Sequence, residues 1–383
     1  LTDLAGGLYK NFQGGLYPGG INSSPNDAPR FYAGEGLTVA SQIQPLNTSG
    51  LPDSVNGKIG LVSVGMSNTS IVFEGSRFGS TFIDQFSADP DKNSKVVAVD
   101  GAQGSRVAGC HPEYPWIRPP GGCWTDTAGD VYTTLQSRLD RGGLDQDQVQ
   151  VVWLKQAEAR PAQYPTDDPV YGDMFHAKIL KDDLTKIAQI LKTGTYPGNP
   201  NPAATTFFPN LKIIYFSSRT RAYITATDNI NELNPDPQAY ESGFAVKWLI
   251  QDYIDNILTD VPYLTWGPYL WIDGLGSDRV EGGIPGRLDG YERTCVEGDN
   301  VNSDVKTDYT HPGGTGVTKV AGMLLNFFKT DPTSCSWFLA NPSLDCGVLP
   351  SPTATPTPTI PPEPTPTASP SPVTLSFKAQ ADT

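Results

Sequence analysis

Two features of this sequence have the residue types to do chemistry together: a serine just past the end of an apolar run, and a histidine three residues after an aspartate. The first lies in residues 58–70, where Ile59, Leu61, Val62 and Val64 end at Gly65 and are followed by Ser67, Asn68, Thr69 and Ser70. A near-continuous apolar run of this length reads as a strand covered on both faces. A glycine lets the chain turn sharply, and Ser, Asn and Thr suit the opening of a helix. Ser67 would then sit at the carboxyl end of a parallel strand, where open α/β sheets place their ligands and where helix N–H groups can stabilise a developing oxyanion. Taken alone, the stretch reads more often as a simple N-cap serine, since strand-to-helix turns rich in Ser and Thr are common. The second feature is Asp308-Tyr-Thr-His311 with Pro-Gly-Gly-Thr-Gly behind it. The chain has 3 histidines, so candidates for a general base are few. His111 falls in a proline-rich loop bracketed by cysteines, and His176 in a polar region with no evident partner. His311 follows Asp308 by three residues and precedes a glycine-rich turn, a spacing that lets Asp308 hold the imidazole in the tautomer that accepts a serine proton.

The rest of the pattern supplies elements to hold this pair. Alternation of apolar strands and amphipathic helices predicts a doubly wound α/β sandwich. Strands are expected over residues 59–64, 95–99, 149–154, 211–216 and 263–272. Helices are expected over 36–43, from Ser67 to about Phe86, and over 131–139, 175–191, 240–257 and 317–328. Asp236-Pro237 reads as the N-cap and first turn of the helix over 240–257. The turn Asp100-Gly-Ala-Gln-Gly104-Ser ends the second strand and either closes a strand-helix corner or offers the Gly104 N–H to an oxyanion. Gln156 stands just past the third strand, as a donor to the site or as a satisfied polar residue. Arg219 and Arg221 follow the fourth strand and could meet an acidic substrate group, although surface ion pairing is the commoner use.

In these blocks the chain resembles the SGNH (GDSL-type) hydrolases, in an uncharacterised secreted bacterial branch. The resemblance runs through Gly65-Met-Ser67, Val97 to Gly104, Val151 to Ala157, the segments Tyr269 to Gly274 and Arg287 to Gly290, and Asp308 to Phe328, covering roughly residues 1–340 in element order. Met66 replaces the family's usual Asp, and Gln156 stands where the family places an Asn. The resemblance implies a flavodoxin-like three-layer sandwich with a mainly parallel sheet, and a serine carboxylic-ester hydrolase. It implies Ser67 as nucleophile, His311 as base and Asp308 as orienting residue, with the Ser67 N–H, the Gly104 N–H and the Gln156 amide holding the oxyanion. No metal or cofactor is called for.

Composition fits an extracellular enzyme. With 38% hydrophobic and 18% charged residues the chain is globular rather than disordered. A net charge of −14 without a basic cluster argues against nucleic acid as partner. No apolar run is long enough to span a bilayer. The start at Leu1 fits a mature chain after removal of a signal peptide. Of the 5 cysteines, Cys110 and Cys123 bracket one short loop and Cys335 and Cys346 another. They read as two local disulfides, with connectivity open and Cys295 left over. The loop from Pro112 to Trp124 that this pair staples carries Arg118 and the aromatics Tyr114, Trp116 and Trp124, which could stack on sugar rings or pack over the core.

Residues 1–347 form the expected catalytic domain, 348–372 a Pro/Thr/Ser-rich spacer that cannot bury a core, and 373–383 the first strand of a further β-rich module. That arrangement points to a cell-surface or secreted enzyme, tethered or self-assembling through C-terminal modules and acting on a polysaccharide acetyl ester or similar carbohydrate ester. The competing expectation is a non-catalytic cell-surface or filament-forming protein that keeps the fold and uses its aromatics for adhesion.

Overall fold

The computed structural model describes residues 1–4, 6–18, 24–117, 122–219, 237–273, 291–292, 300–306, 310–343 and 346. Among them, five strands make the central sheet: β1 (Ile59–Gly65), β2 (Val96–Asp100), β3 (Val149–Lys155), β4 (Ile213–Phe216) and β5 (Tyr263–Trp266). All neighbours are parallel, in the order β2-β1-β3-β4-β5. This is the flavodoxin-like doubly wound order, whose switch point lies beside the first strand. Every residue of β1 and β3 is buried, on both sides of each strand, which is why their sequences are apolar without alternation. The α/β fold expected from the pattern is the fold observed.

The helices are α1 (Arg30–Ala40), α2 (Ser67–Ser70), α3 (Phe82–Ala88), α4 (Val131–Arg141), α5 (Phe175–Thr193), α6 (Gln238–Ile254), α7 (Gly314–Thr330) and α8 (Cys335–Phe338). Helices α5 and α6 pack on each other, as do α3 and α7. Beneath the second pair lies an aromatic layer. Phe73 stacks on Trp153 with ring centroids 6.0 Å apart, Phe82 lies 4.8 Å from Phe73, and Phe328 meets both Phe82 and Tyr215. Trp153 and Tyr215 are partners in the β3–β4 register, so this layer joins the central strands to α7. A fully buried side chain of this size contributes about 2–3 kcal/mol, against about 0.7 kcal/mol across ordinary helix propensities. Packing therefore decides where the helices begin and end.

Three boundaries show this. The first helix starts at Arg30, well before residue 36, and turns Tyr32, Gly36 and Ala40 inward. Gly36 is a point of close approach within the helix, because a Cβ there would lie 2.6 Å from the Tyr263 ring. The single helix expected after Ser67 is broken into α2, a π-helical turn at Ile71–Gly75, and α3. Gly79 in the connecting loop has φ +77°, and a Cβ on it would meet the Gly314 carbonyl oxygen at 2.1 Å. Thr81 and Asp84 then restart the helix with a reciprocal capping box. The strand expected to run to residue 272 stops at Trp266, two residues before Pro268, and Ile272–Asp273 pairs instead with Tyr291–Glu292. Trp266 and Trp271 are both buried in the core. Pro237 occupies the cap position of α6, and Asp236 falls outside the described residues.

Cysteines 110 and 123 form one disulfide, and 335 and 346 the other. Of the aromatics on the first stapled loop, Trp124 is fully buried and Trp116 is 53% exposed. Arg118 and Cys295 lie outside the described residues. No described helix is long and apolar enough to cross a membrane.

The N-terminal segment is tied to α6 through Glu241, whose carboxylate accepts from the Tyr9 hydroxyl at 2.8 Å and pairs with Lys10 and with His176 Nε2 at 2.6 Å. The partner of His176 is 65 residues away on another helix, where no local spacing signals it. Burial pushes the Glu241 pKa up, but His176 and Lys10 outweigh it and hold the carboxyl below its ordinary 4.5. An acid whose pKa is lowered by folding adds stability that is complete above its ordinary pKa and disappears as pH falls through the folded value. Glu241→Gln should therefore cost about 2 kcal/mol at pH 6, with the difference from wild type shrinking below about pH 4. Thermal melts at pH 6 and pH 3.5 check this; an equal gap at both values would contradict it.

Candidate active site

Ser67 opens α2 directly after β1, half-buried at the carboxyl edge of the sheet. Its position is dictated by Gly65. A Cβ on Gly65 would lie 2.2 Å from the Lys155 carbonyl oxygen and 2.3 Å from Thr69 Oγ1. Only glycine permits the turn to run that close to β3. Thr69 Oγ1 in turn donates to the Lys155 carbonyl at 2.7 Å, fastening α2 to the neighbouring strand. A second anchor is Asp100 at the end of β2, which accepts from Ser63 Oγ at 2.6 Å and from Ser70 Oγ, and is held by Arg138 at 3.0 Å.

His311 comes to this point from the loop ahead of α7, with Nε2 2.9 Å from Ser67 Oγ. Asn68 Nδ2 donates to the Thr310 carbonyl at 3.0 Å, so the helix that carries the serine also grips the histidine loop. The glycines after His311 let residues 300–304 press against the start of α7. Cβ atoms on Gly313, Gly314 and Gly316 would meet the carbonyl oxygens of Ser303, Val301 and Asp304 at 2.2, 2.4 and 2.2 Å. Lys306 N–H donates to the His311 carbonyl at 2.8 Å, and Gly313 N–H to that of Asp304 at 3.1 Å. Asp308, the orienting carboxylate expected from sequence, lies outside the described residues.

Gly104 faces the serine: the nearest atom to a Cβ built on it is Ser67 Cβ, at 3.9 Å. The turn that carries it is hooked to β1 by the Gln103 N–H, which donates to the Gly65 carbonyl at 2.9 Å. Gln156 is buried beyond β3, where its Nε2 donates to the Arg106 carbonyl at 3.0 Å and its Oε1 accepts from the Ala157 N–H. The first of these bonds ties the β3 end to the Gly104 loop, the second is local, and one amide proton is left over. Met66 is buried with Val107, Ile117, Cys123 and Tyr164 in a small apolar cluster beneath the stapled loop. An aspartate in its place would have to bury a charge there.

Two cations at this edge are buried. Arg219 is buried rather than surface-paired, and burial pushes its pKa down to about 9. Lys155 is buried at the end of β3, with its pKa driven well below that of lysine by desolvation and then by Arg219. Arg221 lies outside the described residues. Sequence reading did not pick out Asn68, Thr69 and Asp100 as the residues that fasten the site. The first two carried a signal as helix-start types, but their partners are distant in sequence and leave no local trace.

No family model matches the chain, and no curated protein does. Among solved structures, it is similar to a provisionally assigned acylhydrolase from Bacteroides fragilis. The alignment covers 76% of this chain and 92% of that one at 9% identity, with a TM-score of 0.33. At that TM-score the likeness adds nothing to the site, whose chemistry follows from its own residues.

Proposed function

We propose that this chain is a serine hydrolase of carboxylic esters, of the SGNH type. The observation that carries the proposal is the 2.9 Å contact between His311 Nε2 and Ser67 Oγ at the carboxyl edge of a flavodoxin-like sheet. In the tautomer with Nδ1 protonated, Nε2 accepts the Ser67 proton as Oγ attacks the ester carbonyl. Asp308 is assigned the task of fixing that tautomer and stabilising the imidazolium. The tetrahedral oxyanion is assigned to the Ser67 N–H, which as a first-turn amide has no intrahelical acceptor, and to the N–H of Gly104, the residue that lies across from the serine. Each such donor is worth about 3 kcal/mol of barrier. Gln156 supports the site by holding the Gly104 loop, with its remaining amide proton available as a third donor. The imidazolium then protonates the leaving alcohol, and water activated by the same histidine releases the acid.

Support for an extracellular setting comes from the two disulfides and the Pro/Thr/Ser-rich spacer at 348–372. The exposed Trp116 on the stapled loop suits a carbohydrate, and a short acyl ester such as an O-acetylated sugar is the substrate class assigned. The test is release of p-nitrophenol from short p-nitrophenyl esters by the purified chain, followed by acetate release from acetylated sugars. Turnover of both supports the proposal. No turnover of any short ester would favour the non-catalytic adhesion or filament alternative.

A further inference from the structure

A second cluster of side chains, not used by the serine chemistry, joins three segments of the fold. His111 lies next to the Cys110–Cys123 disulfide, Glu158 just past the end of β3, and Asp183 in the middle of α5. The His111 side chain is 7% exposed, Glu158 2% and Asp183 1%. His111 Nε2 lies 2.6 Å from Asp183 Oδ2 and 3.6 Å from Glu158 Oε2, and the three donor atoms all fall within 4.8 Å of one another. Despite that closeness, neither His111 Nε2 nor Asp183 Oδ2 makes a hydrogen bond of acceptable geometry, and Glu158 Oε1 has no partner either. Buried polar atoms are nearly always satisfied, so an orphaned imidazole nitrogen against an orphaned carboxylate oxygen, with Glu158 Oε2 beside them, calls for a group between them.

The outer contacts fit a metal ion in that place. His111 Nδ1 lies 3.1 Å from Glu113 Oε1, an arrangement that puts the ring proton on Nδ1 and leaves the Nε2 lone pair facing the carboxylates. Lys186 holds the other oxygen of Asp183 at 2.9 Å. The Gly109 N–H donates to Glu158 Oε2 at 3.3 Å. Gly109 itself must lack a side chain, since a Cβ would lie 1.7 Å from Asp183 Oδ2 and 2.3 Å from His111 Nε2. Ligand bonds of about 2.0–2.2 Å around one ion put neighbouring donors roughly 3–3.5 Å apart, and the observed spacings bracket that range.

We propose that His111, Glu158 and Asp183 form a binding site for a divalent transition metal of the Zn2+ type, with a fourth position left for water. One imidazole and two carboxylates suit Zn2+ or Mn2+ better than the all-oxygen shells of Ca2+ and Mg2+. The ion would cross-link the stapled loop, the β3 end and α5. Ala108 N–H donates to the Ala157 carbonyl at 2.9 Å in the same region, so the ion would brace the loops that carry Gly104 and Gln156. Its role is structural and does not depend on Ser67 being a nucleophile.

The test uses the full chain with its disulfides intact. The protein is stripped with a chelator, incubated with Zn2+, passed through gel filtration and assayed for metal by mass spectrometry, with thermal melts alongside. Expected are about one equivalent of Zn2+ per chain and a Tm higher by about 3 °C or more than in the stripped protein. His111→Gln should lose the metal and the Tm gain while retaining the fold by circular dichroism. A stripped wild type that retains less than about a tenth of an equivalent after incubation would overturn the site in favour of a protonated histidine between two carboxylates. So would wild-type stoichiometry in His111→Gln.

Discussion

Ser67→Ala should lower kcat/KM for a short p-nitrophenyl ester by about 10^4 or more while leaving Tm within about 2 °C of wild type. The size of the loss follows from the role assigned. Without Oγ there is no acyl-enzyme, and what remains is the modest rate advantage of oxyanion donors and binding. The stability change is small because Ser67 is half-buried and its one described side-chain contact is the 2.9 Å hydrogen bond to His311. A bond of that kind is worth about 1 kcal/mol net. Steady-state kinetics with thermal melts read both quantities from one preparation. If the variant kept more than about a tenth of wild-type activity, the nucleophile would lie elsewhere.

Gly65→Ala should do the reverse and damage both the fold and the chemistry. The added methyl would overlap the Lys155 carbonyl oxygen at 2.2 Å and Thr69 Oγ1 at 2.3 Å, and the first of these is backbone at the end of the central strand. Relief requires α2 to lift away from β3, breaking the Thr69 bond to that carbonyl. Overpacking at a site that cannot yield costs about 3 kcal/mol. The same movement displaces Ser67 relative to His311, and a displacement of about 1 Å in a catalytic pair costs about 10^2-fold in rate. Urea unfolding and kcat/KM measure the two losses. A variant with wild-type midpoint and wild-type rate would show that the turn is not what positions the serine.

How much of this was legible beforehand differs by element for physical reasons. Strand β1 and the glycine-serine turn could be read because a doubly covered parallel strand has one unmistakable composition and ends at a residue only glycine can occupy. Helices α5 and α7 could be read from apolar periodicity, since Leu180, Leu184, Ile187 and Leu191, and Val320, Leu324 and Phe328, all turn inward. The break between α2 and α3 could not, because it depends on Gly79 crossing the start of α7, a contact between residues far apart in the chain. The start of α1 has no clear local signal for the same reason: Gly36 answers to Tyr263, not to its own neighbours. In the site, the serine and histidine were visible by type and chain order. The residues that hold them, Asn68 on Thr310 and Gln103 on Gly65, act through backbone carbonyls, which have no sequence signature. The His111, Glu158 and Asp183 cluster was invisible, because its members come from three segments with no fixed spacing.

The measurement that bears most directly on the serine-histidine chemistry is covalent labelling with a fluorophosphonate, mapped by peptide mass spectrometry. Such probes react only with a serine whose proton is being removed by a neighbouring base. Wild type should carry a single adduct on the peptide containing Ser67, and His311→Ala should carry little or none. An unlabelled wild type under conditions that label a control hydrolase, or an adduct on any other serine, would contradict the assignment of Ser67 and His311 as nucleophile and base.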